Sequence, residues 1–103
     1  MLDINPNLVY TLNGISDALN YLGKHNNAID WCDKALKINP NDVFSTGNKG
    51  MVLSNLGKYE EASVWCDKAL KINPDYDKAR NYKKLALDHL CKKNVQPYKD
   101  DQV

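Results

Sequence analysis

Five side chains in this 103-residue chain could carry nucleophilic or metal chemistry: His25, His89, Cys32, Cys66 and Cys91. His89 and Cys91 are separated by one residue, a spacing found in some zinc sites, but two ligands do not make a site and no second ligand pair accompanies them. A catalytic cysteine needs a base and an orienting group, and no such arrangement is legible. Glycine-rich phosphate loops, nucleophile elbows and paired carboxylate motifs are absent from the sequence. No cofactor is implied, and the chain reads as a non-enzyme.

Composition narrows the field further. The chain is 43% hydrophobic and 26% charged, with 14 basic and 13 acidic residues, which places it among ordinary folded domains. A net charge of +1 gives no general pull toward nucleic acid or an anionic membrane. Lys83-Lys84 and Lys92-Lys93 form a modest basic region, fewer lysines than a nucleic-acid footprint requires, with Asp100-Asp101 close behind. No apolar run is long enough to span a bilayer, and the start lacks the basic-then-apolar pattern of a secretory signal. Three cysteines, an odd number, read as free thiols in a reducing compartment, so the expected location is cytoplasmic.

The elements that position these residues come from internal repetition. Trp31 to Pro40 recurs letter for letter as Trp65 to Pro74, and Leu22-Gly23-Lys24 recurs as Leu56-Gly57-Lys58, both at an offset of 34 residues. Residues 7–40 and 41–74 share 17 identities in 34 aligned positions. Asn7 and Asn41 follow prolines and open an apolar periodic stretch, as a helix N-cap region does. Leu19 and Leu22, like Leu53 and Leu56, continue the period up to Gly23 and Gly57, where glycine suits the left-handed residue that closes a helix. Ala28, Cys32, Ala35 and Leu36, and their counterparts Ala62, Cys66, Ala69 and Leu70, form the core stripe of a second helix. Asn39-Pro40 and Asn73-Pro74 stop it, since a residue before proline avoids the helical region.

Helix pairs with this period resemble the tetratricopeptide repeat family, over residues 7–93. The family places small residues where Ser16 and Gly50, Ala28 and Ala62, and Ala35 and Ala69 stand, and proline at Pro40 and Pro74. Two departures are clear. Leu12 and Thr46 replace a large aromatic, and Cys32 and Cys66 replace a Tyr or Phe, with the bulk one place earlier at Trp31 and Trp65. The two tryptophans are expected to form a ladder that stacks the units, the alternative being a part-exposed contact patch for another chain on the convex side. Cys32 and Cys66, on units stacked roughly 10 Å apart, lie beyond the ~7 Å reach of a disulfide and read as small core residues. His25 stands where the second unit has Tyr59, which points to packing.

The expected architecture is an all-α solenoid of five helices. Residues 1–6 read as the stub of a preceding repeat, 7–40 and 41–74 as two units, 75–93 as a capping helix and 94–103 as a polar tail. Arg80 and Lys84 stand in the third helix where small or apolar residues would receive a partner helix, and arrays need such a polar end.

The resemblance implies a concave groove lined by the first helix of each unit, holding a peptide or helix of a protein partner. Transferred residue by residue, it selects Tyr10, Asn13, Asp17, Phe44, Asn48, Met51, Asn55, Lys78, Asn81 and Tyr82, with Gly14, Asn20, Tyr21, Gly47, Ser54, Leu85, Asp88 and His89 beside them. The asparagines are expected to clamp a peptide backbone and the rings to offer apolar area. None of the lining positions in the two units is identical, as a surface reading a non-repeating partner would allow. One subgroup grips acidic chaperone tails through lysines, asparagines and an arginine. Asn48 and Lys78 match it, but Asn13, Asp17 and Tyr82 do not, so such tails are not the expected ligand. The alternative is a self-assembling unit, a homodimer through Leu8, Leu12 and Ile15 on an uncovered flank.

Overall fold

In the computed structural model, described for the backbone of residues 6–101 and the side chains of 7–92, the chain folds into five helices. They are α1 (Pro6–Tyr21), α2 (His25–Ile38), α3 (Val43–Asn55), α4 (Tyr59–Ile72) and α5 (Asp77–Asp101). The expected stub at 1–6 lies outside the described residues except for Pro6, which is the first residue of α1, where its missing N–H costs nothing. The expected polar tail is instead a continuation of α5 as far as Asp101. No glycine follows Gly57, and Pro97 lies within α5 without ending it.

The helix ends follow the repeated letters. Gly23 and Gly57 sit at φ +84° and +83°. Gly23 and Lys24 donate to the carbonyls of Asn20 and Leu19, and Gly57 and Lys58 to those of Ser54 and Leu53, the paired bonds of a left-handed helix closure. Asn39 and Asn73 accept from the backbone of Asn41 and Asp75, making the same turn before each next helix. The α3 cap is Asp42, one residue beyond the expected Asn41; its carboxylate accepts the Ser45 N–H at 2.9 Å.

Within a unit the two helices meet over small side chains. Ala28, Cys32 and Ala35 on α2, and Ala62, Cys66 and Ala69 on α4, are fully buried. Ser16 fills the first contact, donating to the Ala28 carbonyl at 2.9 Å with Cys32 Sγ 2.8 Å away. At Gly50, its counterpart, a Cβ would lie 2.8 Å from Cys66 Sγ and 3.2 Å from the Cys66 backbone nitrogen, so α3 and α4 approach too closely for any side chain.

Between units, one ion pair repeats. Lys49 reaches Asp33 and Lys83 reaches Asp67, each at 2.6 Å and each linking a helix to the second helix of the preceding unit. Two other contacts keep their place but change their chemistry. Asn13 donates to Asp42 at 3.0 Å in the first junction, whereas in the second Gly47 leaves room for the Tyr76 ring. A Cβ on Gly47 would sit 2.5 Å from that ring. Likewise Asn20 Oδ1 joins His25 and Asn55 in the first junction, where the second has Tyr59 stacked on His89 at 4.2 Å.

If the Gly47–Tyr76 and Asn13–Asp42 pairs are interchangeable solutions, Gly47→Asn and Tyr76→Asp should each cost about 2 kcal/mol alone. Together they should cost at least about 1 kcal/mol less than the sum. Urea unfolding of the four proteins in the cycle reads this directly; strict additivity would show that the junctions are not equivalent.

Candidate peptide-binding groove

Two clefts open along the face built from α1, α3 and α5. One, of about 260 Å³, is lined by Tyr10, Asn13, Gly14, Asp17, Phe44, Asn48, Tyr76 and Lys78. The other, of about 620 Å³, is lined by Gly14, Asp17, Ala18, Asn20, Tyr21, Met51, Asn55 and Tyr82. They share Gly14 and Asp17, which makes them two ends of one groove. Nine of the ten residues selected from the sequence line it; Asn81 does not and lies exposed outside both clefts.

Their roles differ from expectation. Asn13 is buried and engaged on both sides, donating to Asp42 and accepting from Ser45 Oγ at 2.8 Å. It braces α1 against α3 instead of offering its amide to a ligand. Asn48 is also buried, and its oxygen accepts from Lys78 at 3.4 Å. Asn55 donates to Asn20 at 3.1 Å. Thus the amides expected to clamp a peptide backbone mainly tie helices together. Ser54 and Met51 are buried too, although Met51 still forms part of the wall. His89 stacks on Tyr59 and leaves the groove.

The rings remain accessible. Tyr10 and Tyr21 are 79% and 93% exposed, and Phe44 is 54% exposed. Phe44 meets Tyr76 edge to face with centroids 5.6 Å apart, a geometry that fixes both rings at low cost. Tyr76 was not among the sequence-selected residues because it precedes α5 in a turn; its signal was the large aromatic at the place where the first junction has Asp42. Tyr82 is half-buried against Cys66, Ala69 and Ala79.

The tryptophans, on α2 and α4, do not stack on each other but line a separate cleft of about 740 Å³ together with Leu19, Asp33 and Lys37. Trp31 packs on Val9, Leu12 and Ala35, and Trp65 on Leu53, Ala62 and Ala86. Lys34 lies over Trp31 at 4.2 Å, while Lys49 and Lys68 flank Trp65 at 4.3 and 4.0 Å. The rings have cationic partners already within the chain.

With the geometry in place, the family pattern of the tetratricopeptide repeat matches residues 9–42 and again 47–76. The chain belongs to the tetratricopeptide repeat family. No curated protein matches it. Among solved structures it is similar to one titled "MamA RS-1 ArsTM double mutant", with a TM-score of 0.75 and 23% identity over 87% of this chain. The chain spans half the length of that structure, and the likeness is one of fold. Tetratricopeptide repeats are protein-interaction modules, and that is the class of this chain. Among the described residues no helix is long and apolar enough to cross a membrane, and no three His, Cys, Asp or Glu side chains gather as metal ligands.

All three cysteines are free: Cys32 and Cys66 are buried and Cys91 is exposed. Burial pushes the Cys32 thiol up to about 11, offset in part by its bond to Ser16, and pushes Cys66 up to about 11 with help from Asp67. Both folded values exceed the unfolded value of 9.0, so the stability they contribute is complete below pH 9 and is lost as pH rises toward 11. Near pH 10.5 the loss is about 2 kcal/mol per thiol. Urea midpoints measured against pH should therefore fall less steeply for Cys66→Ala than for the parent. At neutral pH, Ellman's reagent should titrate Cys91 rapidly and the two buried thiols only at the rate of opening.

Proposed function

We propose that this protein is a non-catalytic adaptor that holds a segment of a protein partner along the α1–α3–α5 face. The observation that carries the reading is the continuity of the two clefts through Gly14 and Asp17, with exposed rings on their rims. Tyr10, Phe44 and Tyr21 offer flat apolar area that loses little side-chain freedom on binding. Asn13 and Asn48 serve as the wall that holds those rings apart. A cytoplasmic setting fits three unpaired thiols.

Self-assembly through α1 has less support. Leu12 is spent on Val9, Ala35 and Trp31, and Ile15 is half-buried, which leaves Leu8 as the exposed member of that trio.

Peptide display on the parent and on Tyr10→Ala/Phe44→Ala tests the adaptor reading. Both side chains are exposed, so the variant keeps its fold. A motif enriched on the parent should bind the variant at least about tenfold more weakly. A motif held equally by both proteins, or no enrichment from a folded parent, would sink the groove.

A further inference from the structure

The groove has an electrostatic feature that the family resemblance does not supply. Asp17 is exposed, stands where the two clefts join, and makes neither a hydrogen bond nor an ion pair among the described residues. Asp42, at the edge of the same face, is already engaged: it caps α3 and accepts from Asn13 and Ser45. Lys78, the sole cation lining either cleft among the described residues, is half-buried and donates to Asn48. Asp17 thus sits on the floor of the groove without an ion-pair partner among the described residues.

Its surroundings suit a cation. Tyr10, Phe44 and Tyr76 lie in the cleft on one side of it, and Tyr21 and Tyr82 in the cleft on the other. Aromatic faces attract ammonium and guanidinium groups, and a carboxylate can take a guanidinium through two parallel bonds. The Tyr76 phenol is shifted upward by burial first, with Asp17 and Asp42 adding to it, so the field of Asp17 reaches that ring. Gly14, one helical turn before Asp17, leaves the floor bare: a Cβ there would meet nothing within 4 Å. A long basic stem could lie along that strip of backbone with its head on the carboxylate.

We propose that the groove selects its partner segment by one basic side chain, Arg before Lys, seated over Gly14 and paired with Asp17 between apolar neighbours. This rests on the adaptor reading and narrows it: charge complementarity excludes acidic tails, which Asp17 repels, and admits segments with a lone cation flanked by apolar residues. The specificity is electrostatic while the affinity comes from the rings.

The test uses blocked nonapeptide pools with random flanks and a fixed central residue: arginine, citrulline as its neutral isostere, or glutamate. Fluorescence polarisation reads their binding to the parent, to Asp17→Asn and to Tyr10→Ala/Phe44→Ala. The parent should hold the arginine pool about fivefold more tightly than the citrulline pool and the glutamate pool least of all, with the advantage shrinking as salt is added. Asp17→Asn should bind arginine and citrulline alike, with helical circular dichroism unchanged since Asp17 makes no internal bond. Equal binding of the arginine and citrulline pools by the parent overturns the proposal; if Tyr10→Ala/Phe44→Ala still weakens both, the groove itself stands. Binding that the aromatic variant leaves untouched, or no binding of any pool, overturns groove and charge selection together.

Discussion

The middle helix has almost no solvent face, and the rest of the molecule is arranged around that fact. Among the described residues α3 packs against all four other helices, and nine of its thirteen residues are buried. Helices enclosed on every side are ordinarily apolar, yet this one reads Val-Phe-Ser-Thr-Gly-Asn-Lys-Gly-Met-Val-Leu-Ser-Asn. Small residues are what close packing demands where Gly50 meets Cys66 and Gly47 meets Tyr76. The buried polar ones are mostly tied down: Thr46 donates to the Asp42 carbonyl, Ser45 to Asp42 and Asn13, and Asn48 accepts from Lys78. Any change to the groove wall on α3 is therefore also a change to the core, and the groove can vary freely only at residues such as Phe44 that lean out of it.

The two junctions show what repetition keeps and what it releases. The Lys–Asp bridge is retained, with the same length in both. The contacts nearer the groove face are not retained as residues but as pairs. A short donor facing an N-cap carboxylate in one junction becomes a bare backbone facing a ring in the next. An amide bridge between His25 and Asn55 becomes a stacked Tyr59 and His89. Divergence of Asn13 from Gly47 is then explained by the matching change from Asp42 to Tyr76, with no ligand needed. That weakens one argument from the sequence, in which unlike lining residues pointed to a non-repeating partner. The argument survives at Tyr10, Asp17 and Tyr21, which are exposed and free of such a pairwise explanation.

Backbone-level features were legible because they depend on local chemistry. Gly23 and Gly57 close helices wherever they stand, and each Asn-Pro ends one by excluding the helical conformation before the proline. The periodic Ala and Cys stripe marked the buried faces of α2 and α4 without ambiguity. Site chemistry was less legible. Whether Asn13 faces a ligand or another helix depends on what lies opposite it, and that is Asp42, twenty-nine residues along the chain. Tyr76 was overlooked for the converse reason: its place is in a turn, and only the tertiary fold brings the ring over Gly47 and into the groove. The extent of α5 was less legible: polar composition describes solvation and not helix termination, and the helix runs to Asp101 through Gln96-Pro97, although Asn-Pro pairs end α2 and α4.

With Asn13, Asn48 and Asn55 engaged internally, the proposed groove has few free amides with which to grip a partner's backbone. In the proposed reading, what remains is a sparse grammar of exposed rings and the Asp17 carboxylate, set on a floor stiffened by buried amide bonds. Such a surface is already organised before binding, so little ordering cost falls on the protein itself. It is also small, since two clefts along three helices bury a short segment and not a domain. Tight binding would need a partner that contributes its own rigid apolar residues, and discrimination would rest on the charge at Asp17, because aromatic surface alone accepts many shapes. The cleft lined by Trp31 and Trp65 is larger, but its rings are poorly placed to recognise a cation. Lys34, Lys49 and Lys68 already occupy the cation-attracting faces that would make them attractive, and Lys49 in addition is pinned by its bridge to Asp33.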